Sequence, residues 1–164
     1  MFKPGFLRHR QCTGKYQRGF ADLLHMWTNG HCLNAVGENI GDHFADHPYC
    51  QGCLDRRGVA EVEDQTHLFV NCGQVSAQRE RLLGSLAAIY PGFRQAYRGW
   101  GEQKSLQALM VMAPNGEYLQ GGELKTTKST EAGRQCALGA VCRFLGEALD
   151  AHPARRRWRR HFTK

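Results

Sequence analysis

The sequence predicts a mostly α-helical fold, a small helical domain with flexible basic termini. Three observations favour this fold. Apolar residues recur at helical spacing in several segments, and runs with the strict alternation of a strand are short. Cysteine and histidine residues also follow the pattern C-x2-C-x13-H-x4-C, which suits the tetrahedral coordination of a structural zinc ion. We therefore expect a helical domain organised around a structural CCHC zinc site.

Length and composition set limits on the protein class. A chain of 164 residues corresponds to one domain, or to a small domain with extensions. Its 19 glycines and 41% hydrophobic residues predict a modest core, which a bound metal ion would help to stabilise. The sequence shows neither the apolar core of a signal peptide nor a run long enough for a membrane span. We expect an intracellular protein, nuclear or cytoplasmic, with no membrane partner.

The first predicted helix follows a basic arm at residues 1–18. Phe20, Leu23, Leu24 and Trp27 have the i, i+3, i+4, i+7 spacing of one apolar helix face, and an Asn-Gly pair ends the pattern. The polar, glycine-rich stretch that follows is expected to be a loop. Its histidines and aspartates are more typical of a loop than of a catalytic group.

Cys50 and Cys53 form the first ligand pair. We expect them on a tight turn, where Gly52 lets the backbone fold so that both sulfur atoms face one point. Zinc has no redox chemistry, and four protein ligands leave no open coordination position, so the predicted site is structural and not catalytic. The alternative is that these cysteines are buried free thiols and that the histidine is a core residue.

His67 and Cys72 form the second ligand pair. They are predicted on a short helix with Asp64 as its N-cap and Gly73 just after its end. A two-Cys, two-His finger would have histidine in place of Cys72, and a retroviral knuckle would have only four residues between Cys53 and the histidine. We therefore expect neither a finger that reads the DNA major groove nor a retroviral knuckle.

Three more helices are predicted beyond the ligands. Apolar residues at 75–90 indicate an amphipathic helix that packs on the zinc unit and ends at a Pro-Gly pair. Residues 91–104 are expected to form a loop, followed by a short helix at 106–112. The last helix is predicted from about residue 129 to just before Pro153.

These elements divide the chain into four predicted parts. The division gives a basic arm at 1–18, a helical zinc-binding domain at 19–90, a helical C-terminal extension at 91–150 and a basic tail at 151–164.

The net charge of +7 is concentrated towards the ends of the chain. Basic side chains can neutralise phosphates and aromatic rings can stack on bases, so RNA or DNA is the expected partner. A solvated, disordered tail is the alternative interpretation. The candidate nucleic-acid contacts are Lys15, Arg79, Arg81, Arg155, Arg156, Arg157, Trp158, Arg159 and Arg160.

The ligand segment resembles that of a known family. The Cys-x-x-Cys pair, an acidic segment and then EDQTHLFVNC at 63–72 are similar to the zinc-binding domain that follows reverse transcriptase in non-LTR retrotransposons. QRERLL at 78–83 is similar to the arginine-bearing helix of that family, and RQCTGK at 10–15 to its R-x-x-T-G-H segment. The resemblance covers about residues 8–90. The spacer before the histidine is longer than is usual in the family, and Gln65 interrupts its Glu-Thr pair.

The resemblance implies a structural Zn²⁺ module that binds RNA or DNA without enzymatic activity, beside a reverse transcriptase domain of a parent polyprotein. The chain contains no paired-aspartate polymerase motif, no Walker loop and no HExxH, so we do not expect it to be an enzyme. Three alternatives remain open. They are a zinc-stabilised protein-interaction module, a zinc-dependent nuclease using His43 or His47, and a dithiol oxidoreductase using Cys50 and Cys53.

Overall fold

The structure is a computed structural model that describes Gly19 and residues 21–24, 48–115 and 131–152. Helices dominate these residues, and no strand occurs among them. An isolated antiparallel bridge between Tyr49 and Val62 is the sole pairing of extended backbone there. The predicted fold class, mostly α around a CCHC cluster, is confirmed for the described residues, while the basic termini lie outside them. Within the same residues, every helix is too short or too polar to cross a bilayer.

Five α-helices are described from residue 51 onward. They are α1 at Gln51–Arg57, α2 at Ser76–Ile89, α3 at Phe93–Arg98, α4 at Glu102–Asn115 and α5 at Glu131–Ala151. Two short helical turns, His67–Asn71 and Gly73–Val75, connect α1 to α2. Residues 21–24 are also helical. The helices predicted at 75–90 and before Pro153 are thus confirmed as α2 and α5.

The prediction of a loop at 91–104 is wrong, because this stretch contains α3 and the start of α4. Gly92 has a positive φ of 87° and lets the chain turn from α2 directly into α3. Phe93 is fully buried, and its ring lies 6.0 Å from Tyr97 and 5.8 Å from Trp100 between centroids. This aromatic packing stabilises a six-residue helix that its local sequence signals do not reveal.

Helix α4 also differs from its prediction at 106–112. It begins earlier, at Glu102, where an acidic side chain favours a helix N-terminus. It continues through Pro114, which lies in its last turn. The Glu102 carboxylate also accepts a hydrogen bond of 2.9 Å from the Asn71 side chain, which links α4 to the ligand segment.

The core lies around α5, which packs against both α2 and α4. The predicted apolar face of α5 is buried, with Val141, Leu145 and Ala148 fully enclosed. These residues belong to one buried cluster that includes residues of the ligand segment, α2 and α4. The parts predicted as 19–90 and 91–150 therefore share one core, and the boundary between them stays a prediction.

Candidate metal centre

The structure brings the four predicted ligands to one place. Cys50, Cys53, His67 and Cys72 are all buried, and their ligand atoms lie within 4.8 Å of one another. Cys53 Sγ is 3.4 Å from His67 Nε2 and 3.8 Å from Cys72 Sγ. These residues form a buried Cys3His cluster that could hold a metal ion.

The first ligand pair lies at the start of α1 and not on the predicted tight turn. Cys50 is the N-cap residue of α1, and its carbonyl accepts hydrogen bonds from the N–H groups of Cys53 and Leu54, at 3.1 and 3.0 Å. Residues three apart at a helix N-terminus lie on one side, which brings the two sulfur atoms together.

Gly52 lies inside α1 and has no positive φ, so its role is in packing and not in backbone strain. A Cβ at this position would come within 2.7 Å of the Gln74 side chain, whose amide donates to the Gly52 carbonyl. This contact holds the segment after Cys72 against α1.

The second ligand pair depends on a π-helical turn. His67 and Cys72 are five residues apart, which corresponds to about 140° around an α-helix. In the structure, the N–H of Cys72 donates to the carbonyl of His67 at 2.6 Å, closing a π-helical turn over His67–Asn71. Asp64 Oδ1 accepts from the N–H of His67 at 2.7 Å, as expected for the predicted N-cap.

His67 is oriented by a carboxylate on its far side. Its Nδ1 lies 2.9 Å from Glu61 Oε2, and the same oxygen accepts from Arg57 Nη2 at 2.8 Å. A proton on Nδ1 leaves the lone pair of Nε2 directed at the thiols, as in metal-bound histidines generally. Glu61 was not predicted as a site residue, because nothing in its spacing distinguishes it from the other acidic residues of this segment.

The pKa values of the thiols depend on their contacts with one another and with nearby hydrogen-bond donors. The pKa of Cys72 is lowered, chiefly by its hydrogen bond with Cys50 and also by the N–H of Gln74, and the same bond to Cys72 raises the pKa of Cys50. The hydrogen bond and charge of Cys53 raise the pKa of the exposed Arg57 guanidinium. Cys72 therefore reaches the thiolate form, the form that binds metal ions, most readily in this pair.

A further buried pair adjoins Cys50. His152 Nε2 is 3.4 Å from Cys50 Sγ and 4.0 Å from Glu63 Oε2. All three residues are fully buried. The contact between His152 and Cys50 could not be predicted from the sequence, because the two residues are 102 positions apart and no local spacing relates them.

Two of the predicted nucleic-acid contacts have structural partners. Arg79 donates to the carbonyl of Cys72 at 3.2 Å, and Arg81 forms an ion pair of 2.8 Å with Glu147 on α5. Lys15 and the basic tail at 155–160, together with the histidines at 43 and 47, lie outside the described residues. The described residues contain nine Lys or Arg and ten Asp or Glu, so the excess positive charge belongs to the rest of the chain. Nucleic-acid binding stays a prediction.

The buried Cys3His cluster is the strongest indication of what this chain does. No protein-family model matches the chain, and no curated protein or solved structure matches it either.

Proposed function

We propose that this chain is a zinc-stabilised helical module in which the ion has a structural role. The observation that carries the proposal is the geometry of the Cys3His cluster. Zinc–sulfur and zinc–nitrogen bonds of about 2.3 and 2.0 Å give tetrahedral edges of about 3.8 Å between sulfurs and 3.5 Å between sulfur and nitrogen. The corresponding separations from Cys53 are 3.8 Å to Cys72 and 3.4 Å to His67.

The donor set favours zinc over other common ions. Thiolates are soft ligands, imidazole is borderline, and four such ligands in a tetrahedral arrangement suit zinc better than magnesium or calcium, which require oxygen. Three thiolates and one zinc ion leave a charge of −1. Arg57, which donates to Glu61 and whose pKa is raised by the neighbouring Cys53, supplies a compensating positive charge.

The burial of the cluster supports a structural role. The four ligands are between 0 and 3% exposed and all come from the protein, so a bound ion would have no position for a substrate. The ion would tie α1 to the π-helical turn. Phe69 of that turn is fully buried, with its ring 5.4 Å from that of Phe144 on α5. Metal binding would therefore be coupled to the folding of the whole core.

We further propose that the module binds RNA or DNA without acting on it, beside a reverse transcriptase domain of a parent polyprotein. Support comes from the resemblance of the ligand segment to that family and from the distribution of charge. The described part is nearly neutral, while the tail after Pro153 contains five arginines and a tryptophan within six residues. Guanidinium groups bind phosphates, and an indole ring can stack on a base.

Salt-dependent binding of labelled RNA and DNA tests this second proposal. If four or five of the tail arginines meet phosphates, deleting residues 155–164 should flatten the slope of log affinity against log salt by about 3 to 4.5 units, because each phosphate contact contributes about 0.7 to 0.9. A control in which the five arginines become lysines preserves the charge and should keep most of the slope. An unchanged slope in the deletion variant would contradict a role for the tail. Absence of any binding would favour a protein-interaction module instead.

A further inference from the structure

A second group of ligand-type side chains lies beside the Cys3His cluster. It consists of Cys50, Glu63 and His152, which are each 0% exposed. The Nε2 atom of His152 is the centre of this group, because it lies 3.4 Å from the Cys50 sulfur and 4.0 Å from a Glu63 carboxylate oxygen. Both of these atoms are electron-rich.

The geometry around Nε2 favours an N–H on this nitrogen once Cys50 binds a metal ion as a thiolate. A metal-bound thiolate has no proton to donate, so a hydrogen bond between Cys50 and His152 needs its proton on Nε2. A lone pair on Nε2 would instead face the lone pairs of the sulfur and the carboxylate at a buried position, where electrostatic repulsion is strong. A proton on Nε2 converts both contacts into attractions. A hydrogen bond from an N–H to a sulfur is longer than one to an oxygen, and the 3.4 Å separation from Cys50 suits it.

A second metal ion is a poorer fit than a proton. Nitrogen and oxygen ligands of one tetrahedral zinc ion are about 3.4 Å apart, whereas His152 Nε2 and Glu63 Oε2 are 4.0 Å apart. Cys50 also belongs already to the Cys3His cluster. A second ion would need this sulfur as a bridging ligand.

We propose that His152 is a positioning residue of the metal centre, whose Nε2–H donates a hydrogen bond to the sulfur of Cys50. This inference rests on the proposed zinc-binding function. The hydrogen bond holds the Cys50 side chain in its ligating orientation and stabilises the negative charge of its thiolate. It also connects the end of α5 to a ligand at the start of α1, although the two residues are 102 positions apart.

The position of His152 on the backbone agrees with this role. Its N–H donates to the carbonyl of Leu149 at 3.3 Å, so the residue continues the last turn of α5. Leu149 is itself buried in the core, and this anchors the turn.

Variants of His152 in the full-length, zinc-loaded chain test the proposal through competition with a chelator of known affinity. His152→Ala should raise the zinc dissociation constant by about 10-fold or more, the range found for lost outer hydrogen bonds. His152→Gln retains an N–H donor and should recover most of the affinity. Glu147→Gln is the matched control, because it weakens a surface ion pair between α5 and Arg81 without touching the cluster. Its zinc affinity should be unchanged.

NMR spectroscopy of the wild-type chain, loaded with the NMR-active isotope of cadmium in place of zinc, detects the hydrogen bond directly. A scalar coupling between the metal and the Nε2 proton of His152 is expected, transmitted through the Cys50 sulfur. This measurement decides the matter even if His152→Ala does not fold, and a loaded wild-type chain without the coupling would overturn the proposal.

The other outcomes separate this proposal from the proposed function. One zinc per wild-type chain with equal affinity in His152→Ala would overturn the role of His152 and leave the zinc module intact. Two ions per wild-type chain, reduced to one in His152→Ala, would make His152 a ligand and would also overturn the proposal. A wild-type chain that binds no zinc would overturn both.

Discussion

Glu61 contacts the side of the His67 ring that faces away from the cysteines, with 2.9 Å between Glu61 Oε2 and His67 Nδ1. The other ring nitrogen lies 3.4 Å from the sulfur of Cys53. The carboxylate thus fixes both the tautomer and the direction of a predicted metal ligand. Arg57 holds the carboxylate in turn, through a contact of 2.8 Å.

Removing this carboxylate should weaken metal binding without removing a ligand. Glu61→Ala is expected to raise the zinc dissociation constant by about 10-fold, since outer-shell partners typically contribute 10- to 100-fold. Glu61→Gln keeps an acceptor oxygen but loses the charge, so it should have a smaller effect. Glu80→Ala removes a surface partner of Arg94 and serves as the control. Equal zinc affinity in Glu61→Ala and the control would contradict this role.

The cap on the second ligand helix should contribute to stability. Asp64→Ala leaves the N–H of His67 without its side-chain acceptor and should lower the free energy of unfolding by about 1 kcal/mol. Asp64→Asn should cost less, because an amide oxygen can also cap. Urea denaturation of the zinc-loaded protein measures both. A loss in Asp64→Ala no larger than that in Asp64→Asn would argue against the cap.

The contact of Phe69 with Phe144 should be a major stabilising interaction between the π-helical turn and α5. Phe69 is fully buried, so Phe69→Ala should lower the free energy of unfolding by about 3 to 5 kcal/mol. Val62→Ala, at a residue that is 45% exposed, should change it by less than about 0.5 kcal/mol. A double-mutant cycle with Phe144→Ala gives the coupling energy. Coupling near zero would show that the rings do not pack as described.

Zinc affinity should fall as the solution becomes more acidic. Burial alone would lower the pKa of His67, but hydrogen bonds and charges from Cys50 and Cys53 raise it overall in the metal-free protein. A protonated imidazole cannot bind zinc, so the loss of affinity should begin at a higher pH than for an ordinary histidine with a pKa of about 6.5.

Calorimetric titrations at several pH values, in buffers with different ionisation enthalpies, measure both the affinity and the protons released. We expect net proton release at neutral pH and weaker binding at each step towards acid. An affinity that is constant across this range would be inconsistent with His67 as a ligand.

The parts of the site that sequence analysis identified are local in sequence. The four ligands follow a spacing that metal chemistry restricts, and the cap at Asp64 lies three residues before His67. The apolar face of α5 repeats over several turns and is confirmed as buried. In each case the residues that make the contact lie close together in the sequence, so their spacing is enough to predict it.

The parts that it missed depend on tertiary contacts. Helix α1 has seven residues and α3 has six, which is too short to show a clear helical repeat of apolar residues. The glycines within or beside these helices favour the prediction of a turn or loop instead. The π-helical turn brings together two residues that are five apart, a separation that the α-helical period does not predict to share a face. The contact of His152 with Cys50 exists only once α5 has packed across the core, so no spacing predicts it.

Metal analysis of the purified chain, produced with zinc supplied, tests the central claim most directly. We predict one zinc per chain in the wild-type protein, with Cys72→Ser losing most of it. Cys136→Ser, which replaces an exposed thiol outside the cluster, should retain its full metal content. A wild-type stoichiometry near zero, or a Cys72→Ser protein with undiminished zinc, would contradict the assignment of this cluster as a metal centre.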